Sequence, residues 1–417
     1  MLNKNAIQVF EHSFLSIGEK GFEQRHFVAL SKLNALHCYQ YFDLKHNGVV
    51  FKQFVGVIKV DGLTIEILPK IDRYEPEENK SKWQKVLIEM LRVTRKLKIQ
   101  QVGQAQVSRQ SIHLLDIYFE WFLNEVQLLI HQGLIKQYYK QTGNVKALKG
   151  KLEFAGHLNK NLVHKERFYT THQVYDKDHL IHQILGQALE IIEHISKGTY
   201  LYSKCKTVQL DFPEVKDIRA NESTFLKVPK SRKTAPYETA LSIARLIILN
   251  YAPNISSGSE NMLALLFDMN SLWEEYVLVR LKEAAQGTGI EIYGQDSKSF
   301  WNGITIRPDI VLKKNDEVIL IIDTKWKNID QSKPSTHDLR QMYVYNEYWK
   351  SKKALLLYPS NDNQLNQFSQ FAKIFEREEH HCGLGKISVL DSGGTLCADL
   401  GKKVLEIVHH EKRLSQK

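Results

Sequence analysis

The sequence predicts a multidomain α/β protein, with a β-rich and helical N-terminal region followed by a C-terminal α/β core. Three observations carry this. The chain has 417 residues, more than one ordinary hydrophobic core organises, so two or three domains are expected. Up to about Ile71, short β-branched runs are separated by Asn-Gly and Asp-Gly, whereas the middle of the chain shows helical periodicity. The last third alternates helix-like and strand-like segments, which is the pattern of an α/β layer structure.

The elements follow in order. "GVVFKQFVGVIKVDGLTIEILPKI" holds three apolar runs, and Asp61-Gly62 between β-branched residues is a hairpin signal. Alternation puts Thr64, Glu66 and Leu68 on one face and Ile65 and Ile67 on the other, and Pro69 ends the strand. "DRYEPEENKSKWQ" marks a change of composition, which sets a first domain at 1–75. From Trp83 the pattern turns helical, with Val86, Met90, Val93 and Leu97 on one stripe. A second helix is expected from Ser111 to Gly133, with Leu115, Phe119, Phe122, Val126 and Leu129 inside and Gly133 as its C-terminal stop. "YYKQTGNVKALKGKLEF" reads as a basic, glycine-punctuated connector. Further helices are expected from Asp176 or Asp178 and from Pro236, which suits a first turn. "APNISSGSE" is the clearest linker, so the second domain spans 76–252 and the third 253–417. In the third, "NMLALLFDMNSLWEEYVLVRLKEAAQ" reads as one long amphipathic helix. Strands are expected at Ile290–Tyr293, Gly303–Leu312 and Val318–Lys325, a helix at Thr336–Trp349, and a strand at "ALLLYP".

Lysine and arginine number 57 against 47 aspartates and glutamates, a formal charge of +10. A basic balance favours a polyanionic partner such as nucleic acid. The four cysteines, Cys38, Cys205, Cys382 and Cys397, form no C-x-x-C pair, which fits a reducing compartment. The first residues lack the apolar stretch of a secretion signal, and no apolar run is long enough to span a bilayer. A cytoplasmic location, away from membranes, is the expectation.

The chemistry concentrates in "RPDIVLKKNDEVILIIDTKWK", Arg307 to Lys327. Side chains alternate along a strand, so Asp323 and Lys325 share a face and Thr324 points to the other. A turn at Asn315–Glu317 folds the preceding strand back, carrying Asp309 towards the end of the second strand. Two carboxylates then converge beside one ammonium. Hard oxygen donors of this kind suit Mg²⁺, and a lysine there can hold an attacking water or balance phosphate charge. The arrangement suits phosphodiester hydrolysis. Trp326 and Lys327 would give stacking and charge at the mouth of the site. A nearby helix offers Glu274 or Glu275 as a further carboxylate, and the residues alone do not choose between them. Another helix places His337, Gln341, Tyr345 and Tyr348 near one face, where Gln341 could touch phosphate or water.

Asp309, Asp323 and Lys325 resemble the PD-(D/E)xK nuclease signature of many restriction enzymes. The wider chain resembles the McrC family, the nuclease subunit of McrBC-type modification-dependent restriction systems. That resemblance rests on "VGVIKVDGLTIEILPKI", "GLIKQYYKQTGNVKALKGKLEF", "LLFDMNSLWEEYV", "RPDIVL", "IIDTKWK" and "DLRQMYVY". It implies a restriction-endonuclease-like core in which Asp309, Asp323 and Lys325 are catalytic and Gln341 is accessory. Glu274, which follows Trp273, would join Asp309 and Asp323 as a metal ligand. Mg²⁺ would be the cofactor, with Mn²⁺ a substitute. The partner implied is a McrB-like AAA+ GTPase hexamer that reads modified DNA and translocates it, with docking through the N-terminal and helical regions. The substrate implied is double-stranded DNA, and the role is defence against phage and other foreign DNA. The chain fits this division of labour, because "GNVKALKGKL" lacks the spacing and the Ser/Thr of a phosphate-binding loop.

Other clusters carry less. His380, His381 and Cys382 are adjacent residues without a second ligand pair, so a surface loop is expected. Gly393–Thr395 reads as a turn, and the lysines between Lys80 and Lys98 as a solvated or partner-facing surface. The rival to a nuclease is a non-catalytic activator of an NTPase built on a decayed nuclease fold. The intact Asp309, Asp323 and Lys325 speak against decay. An RNA-binding protein gains support only from charge.

Overall fold

The structure, a computed structural model, describes residues 6–36, 40–72, 75–94, 96, 114–253, 261–327, 334–361, 364–371 and 380–406. Cys38, Leu97, the expected helix start at Ser111 and most of "APNISSGSE" lie outside the described residues. The chain forms two compact units, Met1–Ile99 with Leu266–Lys417, and Gln100–Leu265. They do not follow the three successive segments 1–75, 76–252 and 253–417: the N-terminal strands and the C-terminal core share one unit. Contacts such as that between Glu11 and Trp326, which join the ends of the chain, decide this, and periodicity cannot report them.

The first unit begins with β1 (Ala6–Phe10), β2 (Phe14–Ser16), α1 (Gln24–Leu36), β3 (Phe42–Lys45), β4 (Gly48–Phe51), β5 (Phe54–Val60), β6 (Leu63–Leu68) and α2 (Lys80–Val93). β4 lies between β2 and β3, while β6 pairs antiparallel with β5 and parallel with β1. The β5–β6 turn is the expected Asp61-Gly62, with φ of 45° and 76°, the left-handed pair that a tight hairpin requires. β6 is buried along its whole length, so both of its faces are covered. α2 covers it, and the buried Glu66 is satisfied by the side-chain amides of Gln8 and Gln84.

The second unit runs through α3 (Leu114–Gln132), β7 (Gln137–Val145), β8 (Lys151–Leu152), α4 (Phe154–Asn161), β9 (Phe168–Asp176), α5 (Leu180–Ile195), α6 (Tyr200–Asp211), α7 (Glu222–Leu226), α8 (Glu238–Leu249) and β10 (Tyr251–Pro253). α3 buries all five of its predicted stripe residues and stops at Gly133, φ 90°. The expected connector is instead a strand. β7 pairs with β9 over nine residues, Gln137↔Asp176 to Val145↔Phe168. Its exposed polar surface made it look like a loop, yet a ladder needs only a partner for its backbone. α5 begins at Leu180 rather than at either aspartate.

The chain passes back into the first unit along β11 (Asn261–Asp268), then α9 (Met269–Ala284), β12 (Glu291–Gly294), β13 (Lys298–Trp301), β14 (Ile304–Ile306), β15 (Ile310–Lys314), β16 (Glu317–Thr324), α10 (Thr336–Trp349), β17 (Lys353–Ser360), β18 (Gln364–Gln370) and β19 (His381–Ser388). The expected long helix is therefore a strand followed by a helix. The apolar run "MLALLF" fits either state, because period alone does not distinguish a buried strand from a buried helix. Asp268 makes the break: its side chain accepts from the Ser271 N–H and caps α9.

A six-stranded sheet of order β12-β15-β16-β17-β19-β18 organises this region. β16 is antiparallel to β15 but parallel to β17, and parallel neighbours need a crossover, which α10 supplies. Val311, Ile321, Met342, Tyr345, Trp349, Leu356 and Tyr358 pack as one cluster. The predicted bounds of α10 are the observed ones. His381 and Cys382 belong to β19, not to a surface loop, and His380 and Cys382 are buried. Nor is Lys80 solvated: it is 8% exposed and paired with Glu77 at 2.5 Å. Among the described residues no helix is long and apolar enough to cross a membrane.

Candidate active site

Two strand ends and two helices meet at the C-terminal end of β16. Asn315 and Asp316, both at positive φ, turn the chain between β15 and β16. The resulting register, Ile310↔Ile322, brings Asp309 level with Asp323. Asp323 is 1% exposed, and its Oδ2 lies 2.5 Å from Lys325 Nζ. The shared face read from alternation thus places acid and amine together.

Thr324 does not simply face the other way. Its N–H and its hydroxyl both donate to Asp309 Oδ2, at 2.7 and 2.9 Å. The strand ends here, so its N–H is free of the ladder and turns to the carboxylate. The sequence offered no signal for this beyond the residue type.

Glu274 and Glu275 separate cleanly. Glu275 pairs with Lys96 at 3.1 Å. Glu274 accepts from Gln295 Nε2 at 2.9 Å and lies within electrostatic range of Asp309. Gln295 also donates its backbone N–H to the Asp309 carbonyl at 2.9 Å. It does so from a left-handed backbone, φ 54°, a conformation uncommon for a residue with a Cβ. One residue thus ties the Glu274 carboxylate to the backbone of Asp309, and sequence reading missed it.

Gln341 on α10 donates to Asp323 Oδ1 at 3.2 Å and to the Tyr345 hydroxyl at 2.8 Å. Tyr345 donates in turn to the Arg307 carbonyl at 2.8 Å. Of the expected α10 face, Gln341 and Tyr345 enter this chain of bonds, whereas His337 and Tyr348 are exposed. Trp326 is not at the mouth. It is 7% exposed, packs on Trp273 at 5.4 Å and donates Nε1–H to Glu11 Oε1 at 2.7 Å. Lys327 is held by Asp338 at 2.9 Å.

The electrostatics describe a carboxylate cluster. Burial, and then the charge of Asp309, push Glu274 up to about 7 and Asp323 up to about 6. Lys325 is raised: burial opposes its charge, but the neighbouring Asp323 outweighs burial. The carboxylates of this cluster are Glu274, Asp309 and Asp323, with Asp309 within electrostatic range of both others. Among the described residues no three His, Cys, Asp or Glu side chains already stand together as a group that could hold a metal ion. Each carboxylate is held by a neutral or cationic donor, and Asp309 repels both Glu274 and Asp323.

The family described as the McrBC 5-methylcytosine restriction system component matches residues 49–359. The type IV methyl-directed restriction enzyme EcoKMcrBC of Escherichia coli (strain K12) is 23% identical over 292 residues, 63% of this chain and 82% of that protein. Two solved structures from Thermococcus gammatolerans share the fold. A refined half-complex of McrB AAA+ hexamers with bound McrC, from a tetradecameric assembly, aligns with TM-score 0.68 at 18% identity, over 97% of this chain and 100% of that chain. The cryo-EM structure of the McrBC complex aligns with TM-score 0.51 at 17% identity, over 67% of this chain and 88% of that chain. The family match covers most of the chain's length, from β4 to β17, and the chain belongs to the family of McrBC restriction system components.

Proposed function

We propose that this chain is the DNA-cleaving subunit of its restriction complex, hydrolysing phosphodiester bonds with a divalent metal at Glu274, Asp309 and Asp323. The observation that carries the reading is the Asp323–Lys325 pair beside Asp309 and Glu274 at one strand end. The core around them, a helix, an antiparallel set of strands and a β16-α10-β17 crossover, supports a PD-(D/E)xK nuclease assignment.

Bound Mg²⁺, or Mn²⁺ in its place, would polarise the scissile phosphate and favour ionisation of an attacking water. The chain's own residues do the rest. Thr324 and Gln295 hold the carboxylates of Asp309 and Glu274 in place. Lys325 positions the water and offsets charge on the phosphate as it becomes five-coordinate. Gln341 fixes the rotamer of Asp323.

The partner belongs to the same proposal. McrC in the Thermococcus assembly is bound to McrB AAA+ hexamers, and we assign a McrB-like AAA+ GTPase hexamer as the partner of this chain. The second unit supports docking: Leu148, Phe154, Leu158, Leu162 and Val163 on and around α4 are all at least 60% exposed. Apolar surface of this extent on one short segment marks an interaction face. The DNA acted on is double-stranded and delivered by that partner.

The test is DNA cleavage by the assembled complex with Asp323→Ala. Cleavage should fall below detection while stimulation of the partner's GTP hydrolysis persists. Unchanged cleavage removes the site assignment. Loss of stimulation with intact cleavage would make the chain an activator rather than the cutting subunit.

A further inference from the structure

The β13–β14 hairpin has no role in the chemistry described so far, and its surface is unusual. β13 and β14 pair antiparallel, Lys298↔Ile306 and Trp301↔Ile304, through a two-residue turn at Asn302-Gly303. Gly303 has φ 76°, which that turn needs. The ladder slips between Ser299 and Trp301. A bulge of this kind re-aims the side chains around it, and here Phe300 and Trp301 are 45% and 67% exposed. Ile304 beside them is 50% exposed. Lys298 ties the hairpin base to α10, donating to the Tyr348 carbonyl at 2.8 Å and lying 4.8 Å from the Trp349 ring. The hairpin therefore stands on a fixed base with an apolar tip left in solvent.

A cleft of 780 Å³ opens between this hairpin and α10. Phe300, Arg307, His337, Arg340, Gln341 and Tyr345 are on its walls, and among the described residues no acidic side chain is. Arg307 and Arg340 are exposed; among the described residues neither forms a salt bridge, and Arg307 lies within electrostatic range of Glu274. The cleft's floor is the active site's own support, since Gln341 bonds Asp323 and Tyr345 bonds the Arg307 carbonyl. From Ser297 to Pro308 the chain carries Lys298 and Arg307 and no acid. Positive charge leads from the hairpin to the carboxylate cluster, with aromatic side chains beside it.

The geometry points to a double-stranded DNA subsite: the β13–β14 hairpin enters a groove of the duplex, with Arg307 and Arg340 on the phosphates beside the bond to be cut. The proposal rests on the nuclease reading above and adds where the substrate lies. A two-stranded ribbon fits the major groove, about 12 Å wide. Phosphate contacts fix register without reading sequence, which is what a subunit that cuts where its partner directs requires. Trp301 and Ile304 meet sugar and base edges at the tip, and Lys298 keeps the ribbon aimed.

The test is binding of a fluorescein-labelled DNA duplex by the full chain, read by anisotropy across a salt series. Every protein carries Asp323→Asn so that cleavage does not intrude. Arg307→Ala and Arg340→Ala should each weaken binding about three- to tenfold and reduce the slope of log K against log salt by about 0.9. Trp301→Ala should weaken binding roughly fivefold with the slope unchanged, and Trp301→Phe should restore most of it. Lys402→Ala, away from the cleft, should match the parent.

Equal affinity and slope in the arginine variants overturn the subsite, as does absence of duplex binding by the parent at low salt. If Trp301→Ala leaves DNA binding intact and lowers stimulation of the AAA+ partner, the hairpin is a protein interface and the proposal fails. These outcomes are separable from the nuclease reading, which stands or falls on cleavage by Asp323→Ala.

Discussion

The Trp326 indole donates to Glu11 across 315 residues of sequence, at 2.7 Å. This bond ties the residue after Lys325 to the segment that follows β1. Glu11 also accepts from the Lys70 N–H at 3.0 Å, and it is 1% exposed. The strand end that presents Lys325 is therefore braced by the N-terminal sheet. Restriction of Trp326 to one orientation restricts Lys325 beside it.

Glu11 gives the first prediction. Burial, eased by the Trp326 and Lys70 hydrogen bonds, pushes it from an ordinary glutamate value up to about 7. A carboxyl raised in the folded state binds more protons there than in the unfolded chain. Its stabilising contribution is complete below the unfolded value and is lost as pH rises through about 7. Glu11→Gln keeps an acceptor for Trp326 and removes the ionisation. Thermal unfolding of the variant should match the parent near pH 5 and exceed it by a few degrees at pH 8, from an effect on the order of 3 kcal/mol. A parallel offset at both pH values would show that Glu11 does not titrate in this range.

The carboxylate cluster predicts the pH profile of cleavage. Glu274 and Asp323, at about 7 and about 6, must lose protons to bind a cation. Cleavage at limiting Mg²⁺ should therefore rise between about pH 6 and 7, and higher Mg²⁺ should move the rise to lower pH. Rates measured across pH at two Mg²⁺ concentrations check this. A profile that ignores Mg²⁺ would separate these carboxylates from the metal.

Lys325→Met removes the ammonium and leaves Asp323 buried without its counter-charge. The cleavage rate should drop by about 10²- to 10³-fold. Stimulation of the partner's GTPase, measured in parallel, should stay within about twofold if the fold is intact.

Gln341 donates to Asp323, and in the proposed reading it positions that carboxylate. Gln341→Ala should weaken the apparent Mg²⁺ affinity about tenfold, with a smaller effect at saturating metal. Gln341→Glu would set a second acid against Asp323 and should be worse than alanine. If the alanine variant lowers the saturated rate and leaves the Mg²⁺ requirement unchanged, Gln341 contacts substrate instead.

Thr324→Val removes one of the two hydrogen bonds to Asp309 and leaves the backbone N–H in place. The expected cost is about 1 kcal/mol in stability, with a several-fold loss of cleavage. Denaturant unfolding followed alongside the cleavage rate separates the two effects.

The sequence by itself determined helices such as α3 and α10 and the candidate acids. α10 has its predicted bounds because a Ser335 cap and a clear apolar stripe leave little choice. Asp309, Asp323 and Lys325 were legible because strand alternation and hairpin register are short-range geometry, fixed by the two-residue period of the strand. Tertiary structure decided what depends on distant neighbours. It chose Glu274 over Glu275, because Lys96 takes the second and Gln295 the first. It made a strand of the glycine-punctuated connector, since β9 supplied a ladder partner. It buried Trp326 against Trp273 and Glu11, where the sequence had put an exposed ring. Backbone pairing and burial are satisfied by whichever group the fold brings near, and a linear pattern names the groups that need partners without naming the partners themselves.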